Sequence, residues 1–406
     1  MFAVTSVKNE MDDQESNPDL SGDDLEMPSR REVFLYFLML GFVNIGGPVA
    51  QITMMYNHMV ERKHWLSSDR FVKIMSFCHL LPGPEALQLA IYVGYLKRRL
   101  LGGIVAGLTF VLPGAVAMII LSWLYVTYGA LPQVNSVLFV LKAAVLGIIG
   151  AGIIKLGRAS ITSVFLAVLL LGAFAGMYFA HVNFLLIMIA AGFLNFLFTE
   201  GWPRLKKQAN VLPLTLPFAL AAFIATLPFT QSRWFQMSWL FLKTGMFSFG
   251  GAYASIIFLE RGAVAEHGWL TAGQLLDGVA LSVATPGPFM LFTTFVGYLA
   301  GGIAGAALAT FLVFLPSFVF VLVGARYFEQ VRSNRFIQAF LAGASAAVVG
   351  IIIVVSLELA PEALTGLPSI VIALVAFLLI TFLKVDVAAV AVGALATGIL
   401  YAAVRS

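Results

Sequence analysis

The sequence predicts an all-α integral membrane protein built from two inverted repeats. Hydrophobic residues make up 60% of the 406 positions and charged residues 11%, against about 45–50% and about 25% in soluble domains. Apolar segments long enough for membrane-crossing helices cover most of the chain. The same glycine and proline motifs occur in the same order in both halves. Most side chains are therefore expected to face lipid or buried protein.

A repeat at a nearly fixed offset connects the two halves. The Pro-Gly-Pro motif at 82–84 recurs at 286–288, and the glycine-rich segment 41–47 recurs as 245–251, each 204 positions later. Motifs further along recur at an offset of 203, which indicates the loss of one residue. Matched glycine and proline breaks in two apolar halves are typical of secondary transporters, in which broken helices surround a central substrate site.

Thirteen apolar segments have the length of a membrane-crossing helix. The first six match the last six through the repeat, and the segment 211–229 is a connector. One extra crossing between two six-helix units turns the second unit upside down. Glycines at four-residue spacing, such as Gly103 and Gly107, are expected to let helices pack closely. The predicted spans lie near 33–57, 71–95, 101–127, 135–156, 161–180, 183–199, 211–229, 236–258, 275–299, 301–325, 337–357, 367–383 and 385–402.

The chain is predicted to have four parts. Residues 1–29 carry eight acidic residues and one lysine, so we expect a disordered cytoplasmic tail with no cleavable signal peptide. Residues 30–200 are the first repeat, 201–233 are a linker that contains the connector helix, and 234–406 are the inverted second repeat.

Loop charges predict a cell-membrane protein with a cytoplasmic N-terminus and a C-terminus outside. In this arrangement fifteen loop lysines and arginines fall on the inner side and six on the outer side. The loop at 58–70 violates the rule, because Arg62, Lys63 and Arg70, with the adjoining Lys73, fall outside. An interfacial or partly re-entrant segment is the alternative for this loop.

Two kinds of helix break suggest a site for an anion. A glycine pair and Pro48 follow Asn44, and the backbone groups freed there need other partners, such as a bound ion. A helix that restarts after Pro84 presents unpaired N–H groups and the positive end of its dipole. Because the motif recurs in the second half, an inverted pair would aim two helix starts at one point. The alternative is a pair of kinks accommodated by neighbouring helices.

Polar residues beside the breaks are predicted to line the substrate path. Glu85 is a candidate for carrying a coupling proton, since Phe289 holds the matching place; the alternative is a carboxylate that caps the restarted helix. Lys142 and Lys243 can attract a dianion or extend to the interface, where Asp277 is also expected. The candidate substrate-binding residues are Asn44, Gly46, Gly47, Pro48, Gln51, Pro82, Gly83, Pro84, Glu85, Gln88, Ser248, Gly250, Gly251, Tyr253, Thr285, Pro286, Gly287 and Pro288.

The sequence argues against an enzyme and against a bound cofactor. The five histidines show no metal-ligand spacing, and no phosphate-binding P-loop motif is present. A single cysteine, Cys78, excludes an internal disulfide and a multi-cysteine metal site. A membrane-embedded redox enzyme is the alternative class.

At these motifs the sequence resembles the chromate ion transporter family, long two-domain type. The resemblance covers about residues 33–402 and is strongest in the segments 80–90, 249–253 and 285–288. It implies thirteen spans, antiparallel halves and efflux of chromate driven by the proton-motive force. Chromate and sulfate are tetrahedral dianions of similar size, so transport of sulfate or another oxyanion is the alternative. The expected partners are such an oxyanion and the lipid bilayer, with a homodimer as a candidate assembly and no nucleic acid.

Overall fold

The structure is a computed structural model that describes residues 28–44, 48–200, 232–249, 251–325 and 334–405. These residues form α-helices and no strand, as the sequence predicts. The acidic tail up to residue 27 and the connector 211–229 lie outside the described residues, as do the predicted site residues Gly46, Gly47 and Gly250.

Fourteen α-helices, seven in each half, are found in the described residues. The first half contains α1 (Arg30–Val43), α2 (Pro48–Tyr56), α3 (Ser68–Cys78), α4 (Glu85–Tyr128), α5 (Pro132–Ser160), α6 (Val164–Tyr178) and α7 (Phe184–Glu200). The second half contains α8 (Arg233–Phe247), α9 (Ala252–Leu259), α10 (Ala272–Val283), α11 (Phe292–Gly324), α12 (Arg335–Ala363), α13 (Leu367–Thr381) and α14 (Val387–Arg405). Both α2 and α9 continue into a π-helical turn, and a short 3₁₀ turn precedes α11.

Several of these helices suit a membrane. Within the described ranges α4, α5, α11 with its preceding turn, α12 and α14 are long and apolar enough to cross one. Leu108, Leu112, Val116 and Ile120 are exposed at four-residue intervals along α4. Such a stripe of large apolar side chains on a helix surface is suited to contact with lipid.

Both α4 and α11 consist of two helices that fold back on each other. The backbone leaves helical geometry at Arg98 and Arg99 in α4, and at Gly301 and Gly302 in α11. Gly94 packs directly against the carbonyl of Gly102, although residues eight apart in one continuous helix are separated by about 12 Å. We therefore divide α4 into α4a (85–97) and α4b (100–128), and α11 into α11a (292–300) and α11b (303–324).

Helices α1 and α2 form an antiparallel hairpin, here hairpin 1. The Tyr36 ring stacks on the His58 ring with centroids 3.8 Å apart. The Lys63 Nζ atom lies 3.8 Å from Glu32 Oε1. Tyr36 and His58 are 22 residues apart, and in one continuous helix they would be separated by about 33 Å. The chain therefore reverses direction between α1 and α2.

Three further hairpins have the same construction. In hairpin 2 (α3 and α4a) the rings of Phe77 and Tyr92 have centroids 5.8 Å apart. In hairpin 3 (α8 and α9) Gly262 packs against the side chain of Leu240. In hairpin 4 (α10 and α11a) Gly278 packs against the Phe295 ring. The tips of hairpins 2 and 4 are the two Pro-Gly-Pro motifs.

These hairpins correct four of the thirteen predicted spans. The segments near 33–57, 71–95, 236–258 and 275–299 fold back at their breaks instead of running straight. Their arms are short, because α1 has 14 residues and α10 has 12, about 21 Å and about 18 Å of helix against an apolar core of about 30 Å. An apolar window cannot reveal the reversal, since two short antiparallel helices have the same composition as one long helix.

Matched helices of the two halves pack against each other in opposite directions. A methyl group on Gly103 would lie 2.7 Å from Leu322, and one on Gly107 would lie 2.5 Å from Phe318. Residue numbers rise along α4b as they fall along α11b, so these matched helices are antiparallel. The packing role predicted for both glycines is confirmed.

Long helices are also exchanged between the halves. Helix α5 of the first half packs against α13 and α14, and its counterpart α12 packs against α6 and α7. Long helices of each half therefore pack against helices of the other half, which intertwines the two halves.

Candidate functional site

Two reciprocal hydrogen bonds connect the hairpin tips of opposite halves. The Gly83 N–H at the tip of hairpin 2 donates to the Ser248 carbonyl at 3.1 Å, and the Gly287 N–H at the tip of hairpin 4 donates to the Asn44 carbonyl at 2.8 Å. Both partners in each bond match through the repeat offset of 204. Four hairpins from two halves therefore meet through one pair of equivalent contacts.

The sequence of each tip explains this bonding. Proline has no backbone N–H, so the glycine of a Pro-Gly-Pro motif carries its one backbone donor. The accepting carbonyls belong to Asn44 and Ser248, where α1 and α8 end in the same non-helical conformation. A donor without a helical partner in one half thus meets an acceptor at a helix end in the other.

Glycine is required at both tips because of backbone conformation and close packing. Gly83 and Gly287 have φ values of +115° and +111°, a region that side-chain-bearing residues rarely adopt. A methyl group on Gly83 would lie 2.7 Å from Ser317 Oγ, and one on Gly287 would lie 2.7 Å from Leu291 Cδ1. Either substitution would strain the backbone and push on a buried neighbour.

Two buried glutamines support the tips. Gln51 Nε2 donates to the Gly287 carbonyl at 3.1 Å, which joins hairpin 1 to hairpin 4. Gln88 Nε2 donates to the Pro82 carbonyl at 2.6 Å, which closes the tip of hairpin 2. The predicted residues Gln51, Gln88, Gly83 and Gly287 therefore lie at the same junction.

Other predicted polar residues satisfy their own helices. The Ser248 hydroxyl donates to the Thr244 carbonyl, and the Thr285 hydroxyl donates to the Leu281 carbonyl. The Tyr253 ring packs against Phe289, with centroids 5.2 Å apart. All three side chains line the junction. The hydroxyl groups of Ser248 and Thr285 already donate within their own helices.

Three buried side chains at the junction have polar atoms without a partner among the described residues. They are the amide of Asn44, the Oε1 atom of Gln88 and the Oγ atom of Ser317. Leaving a buried polar group unpaired costs about 1–3 kcal/mol. The sequence analysis selects Asn44 and Gln88 but misses Ser317. The one sequence feature that could have pointed to Ser317 is its position directly after the recurring leucine-proline pair.

Glu85 begins α4 and is half-buried beside His79. The distance between Glu85 Oε1 and His79 Nδ1 is 2.9 Å. The residue before α4 is Pro84, whose side chain makes no capping hydrogen bond. The carboxylate is therefore paired with a histidine across the Pro-Gly-Pro tip, a partner that sequence spacing alone did not identify.

Lys142 and Asp277 form an ion pair, a partner for each that the sequence did not identify. Lys142 Nζ lies 3.5 Å from Asp277 Oδ1, and the Tyr125 hydroxyl donates to Asp277 Oδ2 at 2.9 Å. Asp277 is buried and precedes Thr285 by about 12 Å of helix. Its carboxylate balances the lysine charge that the sequence assigns to anion attraction. Lys243 is half-buried within electrostatic range of Glu266.

Comparison with known proteins identifies the family of this chain. The sequence model of the chromate transporter family matches residues 31–196 and 235–399, one segment in each half. The chain belongs to the chromate transporter family. It is thus a multi-pass membrane transporter and not an enzyme, as the sequence predicts. No group of three or more His, Cys, Asp or Glu side chains suited to a metal occurs in the described part of this family member.

Relatives in the chromate transporter family align along most of the chain. A chromate transport protein of Pseudomonas aeruginosa is 36% identical over 360 residues, covering 85% of each chain. One of Cupriavidus metallidurans is 35% identical, covering 85% of this chain and 86% of its own. A probable chromate transport protein of Synechococcus elongatus is 32% identical over 354 residues, covering 86% of this chain and 89% of its own. No solved structure matches significantly.

We predict that Gly83→Ala and Gly287→Ala each lower the transport rate at least about tenfold, because the left-handed conformation adds about 1–3 kcal/mol of strain to the steric conflict. The measurement is initial substrate uptake into vesicles at matched protein levels. Gly172→Ala is the control, since nothing lies within 4 Å of a methyl group there. A glycine at a helix contact, such as Gly103, would not serve as a control, because a methyl group added there would lie 2.7 Å from Leu322. Normal transport by both tip variants would contradict a role for the tips.

Proposed function

We propose that this protein is a secondary active transporter that exports chromate from the cytoplasm. The observation that carries the proposal is the pair of hydrogen bonds between opposite hairpin tips. Each bond joins a backbone N–H of one half to a carbonyl of the other. Backbone N–H groups of this kind are donors for oxyanions.

Substrate binding is proposed to replace the two carbonyls. A tetrahedral oxyanion presents several acceptor oxygens, and two of them can take the places of the Asn44 and Ser248 carbonyl oxygens. The Gly83 and Gly287 amides then bind the anion instead of the opposite half. Exchange of these partners separates the tips, so binding is linked to movement between the halves.

An inverted arrangement supports alternating access. Hairpins 1 and 2 belong to one half and hairpins 3 and 4 to the other, and the matched helices α4b and α11b are antiparallel. In such repeats, rocking of one half against the other opens a central site to each side in turn. The hairpin tips form the contact that this movement breaks and remakes.

The choice of chromate rests on the relatives. Chromate transport is named for the Pseudomonas aeruginosa and Cupriavidus metallidurans proteins, which align with 85% of this chain. Sulfate or another oxyanion is the second candidate, because neutral backbone donors at the tips recognise the shape shared by these tetrahedral ions. A homodimer stays a prediction.

Loop charges favour an inside N-terminus more strongly when the hairpins are included. Each hairpin returns the chain to the side from which it came. Arg62, Lys63, Arg70 and Lys73 then move to the inner side and Arg261 to the outer side. The balance changes from fifteen against six to eighteen against three. The exception at 58–70 disappears, and we propose a cytoplasmic N-terminus with the C-terminus outside.

Cysteine labelling tests this orientation at two exposed positions 204 residues apart, Glu61 and Ala265. In intact cells a membrane-impermeant maleimide should label Ala265→Cys but not Glu61→Cys, because hairpins 1 and 3 return to opposite sides. Inside-out vesicles should give the reverse. Cys78 is buried and serves as the unlabelled background.

The opposite pattern would support thirteen straight spans, because those place residue 61 outside and residue 265 inside. Labelling of both positions from one side would remove the inverted repeat.

Chromate uptake by everted vesicles tests the function. We expect accumulation of chromate that an uncoupler abolishes, because collapse of the proton gradient removes the proposed driving force. The Gly83→Ala protein is the control for leakage. Sulfate uptake without chromate uptake would establish the second candidate, and no uptake of either ion would reject oxyanion transport. Uptake that survives the uncoupler after ATP depletion would reject proton coupling.

Glu85→Gln tests whether Glu85 carries the coupling proton. The amide keeps the size of the side chain but cannot ionise, so we expect transport driven by a pH gradient to be lost while substrate binding remains. His79→Gln removes the partner of Glu85 and leaves Glu85 ionisable. This variant should alter the pH dependence of transport. If Glu85→Gln transports normally across pH at equal membrane levels, Glu85 has a structural role and the proton uses another group.

A further inference from the structure

We propose that Ser317 contacts the transported oxyanion and that the ion is held on the Gly83 side of the tip junction. This inference rests on the proposed transport function. Ser317 lies in α11b and is fully buried, yet its Oγ atom has no hydrogen-bond partner in the part of the chain that the structure describes. The resting fold therefore leaves this hydroxyl unused.

Other buried serines show how unusual this is. A helical serine commonly donates to the carbonyl four residues earlier, and Ser122 does so to Met118 at 2.6 Å. For Ser317 that carbonyl belongs to Val313, which is packed directly against Gly245. The usual local acceptor is thus covered by α8, and the hydroxyl remains unpaired toward the tip of hairpin 2.

The two tips have the same backbone but different surroundings. A methyl group on Gly83 would lie 2.7 Å from Ser317 Oγ and 3.0 Å from Gln88 Nε2. The equivalent position on Gly287 lies 2.7 Å from Leu291 Cδ1 and 3.4 Å from the Cα atom of Gly114. The two nearest neighbours of the first tip are therefore polar side-chain atoms, whereas those of the second tip are carbon atoms.

Gly114 marks the difference most clearly, because it is the repeat equivalent of Ser317 at an offset of 203. It packs directly against the Pro286 carbonyl, which leaves no room for a side chain. A hydroxyl can therefore occupy this place in the second half but not in the first. Of the two matched tips, the Gly83 tip gains a side-chain donor from the opposite half.

Gln88 adds a second polar group on the same side. Its Nε2 atom donates to the Pro82 carbonyl, so this carbonyl fixes the orientation of the amide. The Oε1 atom then remains buried and unpaired. An amide oxygen only accepts hydrogen bonds, so it does not bind the oxyanion itself. Ser317 therefore supplies the side-chain donor at the Gly83 tip, and Gln88 fixes the shape of that tip.

Tip separation would complete the site. When the Ser248 carbonyl leaves, the Gly83 N–H becomes a free donor. The Ser317 hydroxyl lies within about 5 Å of that nitrogen, from standard bond lengths and its distance to the methyl position. Two donors from opposite halves can then bind oxygens of a single tetrahedral ion. A single ion shared by the two tip amides would thus be held more strongly at the Gly83 tip, where the Ser317 hydroxyl adds a third donor.

The test compares Ser317→Ala with Ser122→Ala in purified, reconstituted protein. Both serines are fully buried, but only Ser122 has a hydrogen bond within its own helix. Ser317→Ala should keep or raise the melting temperature of the substrate-free protein, because it removes an unpaired hydroxyl. Its KM for chromate should rise about tenfold or more, and stabilisation by added chromate or sulfate should be lost. Ser122→Ala should lower the melting temperature and leave KM unchanged.

Each other outcome has a defined meaning. An unchanged KM in Ser317→Ala, with chromate still stabilising the variant, would overturn the inference and leave the transport function intact. A lower melting temperature without substrate would also overturn it, since the hydroxyl would then be structural. Ser317→Cys keeps the volume with a weaker donor and should give an intermediate KM. If the wild-type protein is neither stabilised by nor transports chromate or sulfate, the proposed function itself fails.

Discussion

The satisfaction of backbone hydrogen bonds away from water is the constraint on which this structure depends. Inside a membrane each unpaired N–H or C=O group costs several kcal/mol. The Pro-Gly-Pro motifs break the helical ladder there and leave a glycine donor. That donor pairs with a carbonyl from the other half, in the bonds Gly83–Ser248 and Gly287–Asn44. Each tip glycine thus takes its hydrogen-bond acceptor from the other half, so the junction forms when the two halves pack together.

The two halves share a backbone geometry but carry different side chains, and the proposed orientation and the proposed substrate site both rest on these differences. The turn within α4 places Arg99 at a φ of +53°, where α11 has Gly302 at +63°. Arginine accepts that strained position in the turn proposed to face the cytoplasm, where positive charge is favoured. Glu85 and Ser317 likewise have apolar or glycine counterparts, Phe289 and Gly114. One fold repeated twice thus gives two tips of different chemistry.

The sequence predicted the helix breaks but not the direction of the chain after them. A glycine pair or a Pro-Gly-Pro motif shows where helical hydrogen bonding fails, whereas the angle between the following helices depends on what packs around them. Hairpin 1, for example, is closed by Tyr36 against His58, a contact that apolar periodicity does not encode. Pairing of Lys142 with Asp277 was missed for the same reason, since the two residues lie on different helices in different halves.

The sequence by itself determined the membrane class, the helical content, the repeat, the family and most of the residues at the tips. These properties follow from composition and from local backbone chemistry, which are readable position by position. Only the tertiary structure decided that four predicted spans are hairpins, that their tips are joined across the halves, and that Ser317 lies unpaired beside Gly83. The hairpins depend on packing between residues 15 to 22 positions apart, such as Phe77 against Tyr92 and Tyr36 against His58. The tip bonds and the place of Ser317 depend on contacts between residues more than 150 positions apart, where packing and the pairing of backbone groups act together.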